Sequence, residues 1–308
     1  MKEDLSLTPE EVAGILKIAK NTVYELVKRG ELPAYRVGRK IRIELNDVLT
    51  YKKQGKKTVV SGLPGEFSPP EVTSGYMVVC GQDALLDILT RHLEQTPGGM
   101  RVFRHYVGSF AGLMALYHGK VHMTAIHLWD GHSGQYNIPF VRYMLPGIPT
   151  VIIHLTCRMQ GFYVAEGNPH NIGGWSDLTK TGVRFVNREK GSGTRVLLDG
   201  QLNLRGIDRK KIVGYETEEL SHLSVASTVA RDAADVGLGN EKASLQVRGI
   251  SFIPMQKERY DLVIKKEDME KPEYQAVLDI IRSSSFKSEL KGLGDYDLTE
   301  TGMIMAET

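Results

Sequence analysis

The sequence predicts an α/β protein in which a small helical module precedes a larger region of alternating strands and helices. The 308 residues exceed one ordinary core and fit two or three units of roughly 100 to 150 residues each. Apolar strand, glycine turn and helix patterns recur after residue 75. A hydrophobic content of 41% with 25% charged residues is typical of globular chains that bury a core.

Two short helices are predicted near the N-terminus. Thr8 is expected to cap the first helix, with Pro9 at its first position and apolar residues following at helical spacing. After a break near 18–19, a second helix is predicted to begin at 21–22, and Gly30 ends it. Two short helices joined by a tight turn form a helix-turn-helix candidate.

A small basic hairpin is predicted to follow, because residues alternate between apolar and polar around Gly38. Residues 1–57 hold 13 Lys or Arg against 8 Asp or Glu, whereas the whole chain carries only +2. This asymmetry predicts a polyanionic partner for the N-terminal module alone. Basic side chains on the hairpin would reach phosphates while the second helix enters the major groove of double-stranded DNA.

The segments TPEEVA, NTVYELVKRGELPAYRVGRKIRI and ELNDVLTYKK are similar to the excisionase and MerR-like winged helix-turn-helix family, over about 50 residues. The resemblance implies that the second helix faces base edges and phosphates and that the wing binds the backbone. The DNA-binding residues expected on this basis are Lys20, Asn21, Thr22, Tyr24, Lys28, Arg29, Arg36, Arg39, Lys40 and Arg42. A solvated basic face on a small interaction domain is the alternative.

We expect the chain to act as a homodimer or higher homo-oligomer, since one such module covers only roughly 600 to 1,000 Å² of DNA. Residues 52–75 contain four lysines and three prolines without sustained periodicity, which is typical of a linker. The expected division is therefore a DNA-binding domain over 1–53, a linker over 54–75 and a ligand-sensing domain over 76–308.

Four glycine- or serine-containing turns predict an anion site in the larger region. The turns CGQD (80–83), VGSF (107–110), KGSGTR (190–195) and LSHLS (220–224) each precede a predicted helix. Backbone amides at a helix N-terminus bind anions well, because unpaired donors and the helix dipole both point outward. In parallel α/β sheets, ligands bind at the carboxyl ends of strands, where these turns are expected to lie. Arg195 would add a fixed cation.

The segments GQDALLDIL, GSFAGLMALYHGKVHMTAIHLWD, RFVNREKGSGTRVLLD and HLSVASTVARDAADVGLG resemble type II periplasmic-binding-protein-like domains, closest to the intracellular form related to molybdate- and tungstate-binding proteins. The resemblance implies a two-lobed α/β domain, with about 76–150 and 263–308 in one lobe and about 155–262 in the other. It also implies an oxyanion, preferably molybdate or tungstate, in the cleft. The expected ligand-binding residues are Gly81, Gln82, Asp83, Ser109, Asp130, Ser192, Gly193, Thr194, Arg195, Ser221 and His222.

Asp83 departs from this pattern, since oxyanion binders commonly carry Ser or Thr there. Its carboxylate would repel a dianion unless it turns away to cap its helix. A sensor of a different small ligand, such as an organic acid or a molybdenum cofactor precursor, is therefore the alternative interpretation of this domain.

Neither a metal site nor a cofactor is expected. Four histidines lie within fifteen residues, but His122 and His127 are five apart on a predicted strand and so face opposite sides. An enzyme using the cleft is the remaining alternative, with Arg195, His222 and Asp130 as an acid/base set. No GxSxG, HExxH or P-loop motif supports it, so the expectation is a non-enzymatic transcriptional regulator.

We expect the protein to stay in the cytoplasm without a membrane partner. No apolar run approaches the roughly 18 residues of a membrane helix, and the start MKEDLSLTPEEV is acidic where a secretory peptide would be apolar. Cys80 and Cys157 are far apart and outside any CxxC spacing. Both are expected to be small buried hydrophobes.

Overall fold

The computed structural model describes residues 6–38, 40–49, 51, 75–96 and 99–308. The chain forms two compact units, Met1–Ser68 and Pro69–Thr308. Most of the predicted linker lies outside the described residues, so its boundaries stay a prediction. Among the described residues, no helix combines the length and hydrophobicity needed to cross a membrane.

The N-terminal unit packs three helices against a three-stranded antiparallel sheet of order β1-β3-β2. Its elements are β1 (Ser6–Leu7), α1 (Pro9–Leu16), α2 (Lys20–Lys28), β2 (Tyr35–Val37), β3 (Lys40–Glu44) and α3 (45–49). Val12, Val23, Leu26 and Ile43 are buried between the helices and the sheet. The predicted helix pair and hairpin are present, and β1 is an additional strand.

Local capping explains the helix-turn-helix geometry. The Thr8 hydroxyl accepts a hydrogen bond from the Glu11 amide at 3.3 Å, and the Glu11 carboxylate accepts one from the Thr8 amide at 2.7 Å. Helix α1 ends because Lys17 adopts a left-handed conformation with φ 55°. Helix α2 begins at Lys20, slightly earlier than predicted, and the chain leaves it through Gly30 at φ 75°.

The C-terminal unit is built on one nine-stranded sheet, in the order β5-β4-β6-β11-β7-β10-β8-β9, with β12 paired to β7. The strands are β4 (Tyr76–Cys80), β5 (Arg101–His105), β6 (Met123–Ile126), β7 (Thr150–Ala165), β8 (Phe185–Arg188), β9 (Glu218–Glu219), β10 (Val236–Asn240), β11 (Ile250–Lys265) and β12 (Ile304–Glu307). The helices are α4 (Ala84–Gln95), α5 (Ser109–Tyr117), α6 (Ile138–Met144), α7 (Gly193–Leu204), α8 (His222–Ala230), α9 (Glu241–Ser244), α10 (Pro272–Arg282) and α11 (Ser284–Leu293).

Two long antiparallel strands, β7 and β11, run through both halves of this unit. One end of β11 pairs with β6, and the opposite end of β7 pairs with β10. The first half contains β4, β5 and β6 with α4, α5, α6, α10 and α11, and the second half contains β8, β9 and β10 with α7, α8 and α9. Each half has its own apolar core, although Trp129 packs into the core of the second half. The two long strands therefore form the connection that a hinge requires.

Candidate functional site

A small cavity lies where both halves of the C-terminal unit meet the two long strands. The carboxyl ends of β4, β5, β6 and β8 reach it, as the parallel strand arrangement predicts. Its volume is about 20 Å³, roughly the space of one water molecule. It is lined by Gly81, Gln82, Asp83, Val107, Gly108, Ser109, Ala125, His127, Arg158, Arg188, Ser192, His222 and Tyr260.

Helix N-termini surround this cavity. Helix α7 begins behind Ser192, whose hydroxyl accepts a hydrogen bond from the Arg195 amide at 3.2 Å. Helix α8 begins at His222, capped by the Ser221 hydroxyl, and α5 begins at Ser109, whose hydroxyl accepts from the His127 amide at 3.3 Å. The first amides of an α-helix have no partner within the helix. Their dipoles give the cavity a positive potential.

Arg158 on β7 is the central charge on the cavity floor. Its guanidinium is ion-paired with Asp83 and with Glu258 on β11, and it lies 4.4 Å from the centroid of the Tyr260 ring. The other Glu258 oxygen lies 2.6 Å from His127 Nδ1. Burial raises the pKa of Glu258, but Arg158 and His127 outweigh burial and bring this pKa down to about 2. The floor is therefore a set of buried, mutually paired charges.

Asp83 both caps a helix and binds Arg158. Its Oδ1 accepts hydrogen bonds from the Leu85 amide at 2.8 Å and from the Tyr296 hydroxyl at 2.6 Å, while Oδ2 faces Arg158. The Asp83 carboxylate, which is expected from the sequence to repel a bound anion, is thus compensated by the Arg158 guanidinium.

Arg188, at the end of β8, joins the second half to the first. Its Nη2 donates to the Gln82 side-chain oxygen at 2.7 Å and to the Leu220 carbonyl at 3.3 Å, and both Nη2 and Nε donate to the Glu189 carboxylate. The Phe110 amide also donates to the Gly191 carbonyl, at 3.0 Å. The Arg188–Gln82 and Phe110–Gly191 hydrogen bonds connect the two halves across the cavity.

His222 is a neutral member of the site. Burial lowers the pKa of its imidazole well below the usual range, and the positive charges of Arg188 and Arg158 lower it further. Its Nδ1 accepts a hydrogen bond from the Asn240 amide at 3.3 Å, which leaves Nε2 as the protonated nitrogen.

The structure brings most of the expected ligand-binding residues to this region. Gly81, Gln82, Asp83, Ser109, Ser192 and His222 line the cavity. Ser221 lines an adjoining, wider pocket of about 440 Å³ together with Lys242 and Tyr296. Gly193 approaches the His127 backbone so closely that a Cβ there would lie 2.5 Å from the His127 carbonyl oxygen. Thr194 is buried, with its hydroxyl 3.3 Å from Gln160 Oε1.

Two expected ligand-binding residues lie elsewhere. The guanidinium of Arg195 packs 4.1 Å from the Tyr215 ring centroid and faces Glu216 and Glu218 at 3.8 and 3.5 Å. The Asp130 carboxylate accepts hydrogen bonds from the amides of His132 and Ser133, and it lines a separate pocket of about 490 Å³. The cations at the cavity are Arg158 and Arg188 instead.

Arg158 and Glu258 were not singled out from the sequence. Arg158 interrupts a strand segment that is otherwise largely apolar, and charged residues are rarely buried unless paired. A charge inside a predicted core strand is the pattern that would have indicated Arg158, whereas Glu258 stands in the polar run QKER, which gives no such signal.

The N-terminal unit presents a basic face on α2 and the β2–β3 wing. Lys20, Asn21, Thr22, Tyr24, Lys28 and Arg29 are exposed on or next to α2, whose Val23 and Leu26 point into the core. Arg36 and Lys40 are exposed on the wing, Arg42 is half-buried, and Arg39 lies outside the described residues. Lys20 pairs with Glu10 at 3.1 Å and Arg29 with Glu31 at 3.2 Å. Exposed pairs of this kind are weak, so these cations can exchange their partners for phosphates.

Comparisons with known proteins agree with this organisation. Residues 6–56 match the profile of a helix-turn-helix domain, and residues 90–282 match that of the PBP superfamily domain. Protein YvgK of Bacillus subtilis (strain 168) is 40% identical over 318 aligned positions that cover all of both chains.

Two solved structures share the fold of the C-terminal unit. A phosphate ABC transporter substrate-binding protein from Clostridium perfringens, with bound phosphate, aligns with a TM-score of 0.54 at 12% identity over 72% of this chain and 98% of its own. The effector-binding domain of QuiR, in complex with shikimate, aligns with a TM-score of 0.50 at 14% identity. The alignment covers 67% of this chain and 95% of the QuiR domain.

Proposed function

Because the chain belongs to the PBP superfamily and carries a helix-turn-helix domain at its N-terminus, we propose that it is a ligand-responsive transcriptional regulator. The N-terminal unit binds double-stranded DNA through α2 and the wing. The cleft of the C-terminal unit binds a small oxyanion, with molybdate or tungstate as the preferred candidates. The observation that carries the proposal is the convergence of the N-termini of α5, α7 and α8 on a cavity bordered by Arg158 and Arg188.

Arg188 is the cation that an anion would engage. Arg158 already faces two carboxylates, whereas Arg188 faces one, that of Glu189, and its Nη2 also donates to the neutral oxygens of Gln82 and Leu220. A charged oxyanion is a stronger acceptor than an amide oxygen and would replace Gln82 there. Helix dipoles at Ser192 and His222 would add to the attraction.

The size of the cavity links binding to movement. A volume of about 20 Å³ is roughly that of one water molecule, so a tetrahedral oxyanion would be held with the two halves further apart than in this structure. A ligand shifts such an equilibrium only through its different affinity for the open and closed forms. In a homodimer, closure would shift the dimer interface and change the spacing of the two DNA-binding units.

A thermal-shift screen of the full chain with molybdate, tungstate, sulfate and phosphate tests the anion site. Ligand at a hundredfold excess over its Kd should stabilise the protein by about 2.7 kcal/mol. Arg188→Ala should lose this stabilisation, and Arg142→Ala, which removes an exposed arginine of the same unit, should keep it. No stabilisation by any of the four oxyanions would remove this part of the proposal.

An organic acid or a molybdenum cofactor precursor is the second candidate ligand. The pocket of about 440 Å³ next to the cavity favours it, because Ser221, His222 and Lys242 line a volume that a larger anion could fill. Including small carboxylic acids in the same screen distinguishes the two candidates. A regulator returns its ligand unchanged, so recovery of a converted product would instead indicate an enzyme.

A further inference from the structure

A cysteine, a histidine and an aspartate lie in a row on the two long strands, outside the cleft. Cys157 Sγ is 3.7 Å from His154 Nε2, and His154 Nδ1 is 2.7 Å from Asp261 Oδ1. His154 and Asp261 are buried, with side chains 1% and 0% exposed, whereas Cys157 is half-buried. The sequence-based expectation of a buried Cys157 is wrong, because the residue is half-buried and its sulfur lies beside the polar His154 side chain.

A β-bulge brings the three side chains together. Residues three apart in a regular strand face opposite sides of the sheet. Tyr260 on β11 pairs with Thr156, but the next residue, Asp261, pairs with His154, so β7 carries one extra residue at this point. The bulge turns His154 to the side of Cys157.

Basic side chains lie near the sulfur, each paired with a carboxylate. Burial alone would lower the pKa of His154, but its hydrogen bonds with Asp261 and Cys157 raise it to about 9, so His154 is an imidazolium at neutral pH. Arg259 is the cross-strand partner of Cys157 and therefore lies on the same face. Arg259 Nε donates to the Asp261 carboxylate at 3.3 Å, and among the described residues its Nη2 is buried without a hydrogen-bond partner.

Further charges flank this row. Lys257 lies two residues from Arg259 on the same face of β11, and its Nζ is 2.6 Å from the carboxylate of Asp297. Asp297 also accepts from Thr299, and its backbone bridges to Cys157. The two carboxylates near Cys157, those of Asp261 and Asp297, are thus each held by a cation.

We propose that Cys157 is a peroxide-reactive thiol. A thiolate is the nucleophilic form of cysteine, and His154 Nε2 lies 3.7 Å from the sulfur, where it can donate a proton to the leaving oxygen. The Cys157 thiolate attacks one oxygen of a hydroperoxide, so an S–O bond forms, the O–O bond breaks, and the leaving oxygen takes the proton from His154 Nε2. With hydrogen peroxide the products are a sulfenic acid, one water and a neutral imidazole. The sulfur loses the two electrons that the peroxide gains.

Cys80 provides an internal reference for this reaction. It is fully buried in the first half, and burial raises the pKa of its thiol to about 12. A thiol of this kind is inert towards peroxide. The reactive site is also separate from the cleft, because Arg158 follows Cys157 in the strand and points to the opposite face. The proposal therefore does not depend on the ligand or on DNA binding.

The test uses the full chain, hydrogen peroxide and dimedone as a trap for sulfenic acid, with labelling of each cysteine followed by peptide mass spectrometry. Cys157 should be labelled at least about tenfold faster than Cys80, and at least about tenfold faster in the folded chain than in the same chain in urea. Equal rates in the folded and unfolded chains would overturn the proposal.

Two variants test the roles of the Cys157 thiol and of the neighbouring His154 separately. Cys157→Ser should abolish labelling at this position without affecting the Cys80 rate. His154→Gln, checked for folding by circular dichroism, should slow the labelling of Cys157 about tenfold, since the imidazolium is lost. A folded His154→Gln protein that reacts as fast as the native chain would contradict the role of His154. If the His154→Gln variant does not fold, the proposal is tested by the Cys157 labelling rates of the native sequence in its folded form and in urea.

Discussion

Arg158 and Glu258 are register partners on β7 and β11 and form an ion pair whose side chains are only 5% and 1% exposed. The pair lies where the two long strands pass from one half of the C-terminal unit to the other. Removing one partner of a buried pair leaves an uncompensated charge, which is costly. This relationship makes the hinge strands sensitive to the loss of either charge.

Glu258→Gln should lower the free energy of unfolding by about 3 kcal/mol, because Arg158 would keep only Asp83 as a charged partner. Urea denaturation measures this change. The matched control is Glu267→Gln, which removes a 75% exposed carboxylate at 4.0 Å from Lys265 and should cost less than about 0.5 kcal/mol. Equal effects of the two substitutions would show that the buried network does not hold the halves.

The His154–Asp261 pair predicts a loss of stability at alkaline pH. Because folding raises the pKa of His154 from 6.5 to about 9, its stabilisation is complete below pH 6.5 and is lost as pH rises through 9. The expected decrease is on the order of 3 kcal/mol. Denaturation curves between pH 6 and 9 should show this decrease in the free energy of unfolding in His118→Gln, which changes an exposed histidine. The decrease should be absent in His154→Gln. The same decrease with pH in both variants would show that a group other than His154 causes it.

Gly193→Ala should prevent closure of the cleft. The added Cβ would lie 2.5 Å from the His127 carbonyl oxygen, so the start of α7 must move away from the first half. We expect at least about tenfold weaker ligand binding by calorimetry, with the fold retained. Gly292→Ala, whose Cβ would meet nothing within 4 Å, is the control and should leave binding unchanged.

Lys28→Ala and Arg36→Ala should each weaken DNA binding and reduce the slope of log affinity against log salt by about 1, as expected for the loss of one phosphate contact. Fluorescence anisotropy with a duplex selected from a random pool measures both quantities. Lys211→Ala removes an exposed cation of the C-terminal unit and should leave the slope unchanged. Deletion of residues 1–57 should abolish binding, and retention of binding would place the DNA site elsewhere.

The fold class and the family resemblance predicted from sequence are confirmed, because both depend on local patterns. Thr8, Pro9 and Gly30 mark helix ends directly, and recurrent strand–turn–helix segments indicate the parallel strands β4, β5 and β6, although the sheet is mixed because β7 and β11 are antiparallel. Helix-capping residues such as Ser192 and Ser221 could be located for the same reason.

The charged part of the site could not be predicted, since it depends on tertiary pairing. The sequence does not show that Arg158 meets Glu258, a hundred residues away, or that a bulge turns His154 towards Cys157. Arg195 looks like a cleft cation because it follows the GSGT turn, but one helical turn directs its side chain to Glu216 and Glu218. Molybdate or tungstate stays a prediction from resemblance.

The central claim is that an anion in the cleft controls DNA binding. The most direct test is the DNA affinity of the full chain, measured by fluorescence anisotropy at fixed ionic strength with and without molybdate, tungstate or a ligand identified by the thermal-shift screen. We predict a change of at least about fivefold in Kd, abolished by Arg188→Ala and retained in Arg142→Ala. A DNA affinity unchanged by a ligand that demonstrably binds the cleft would contradict the account.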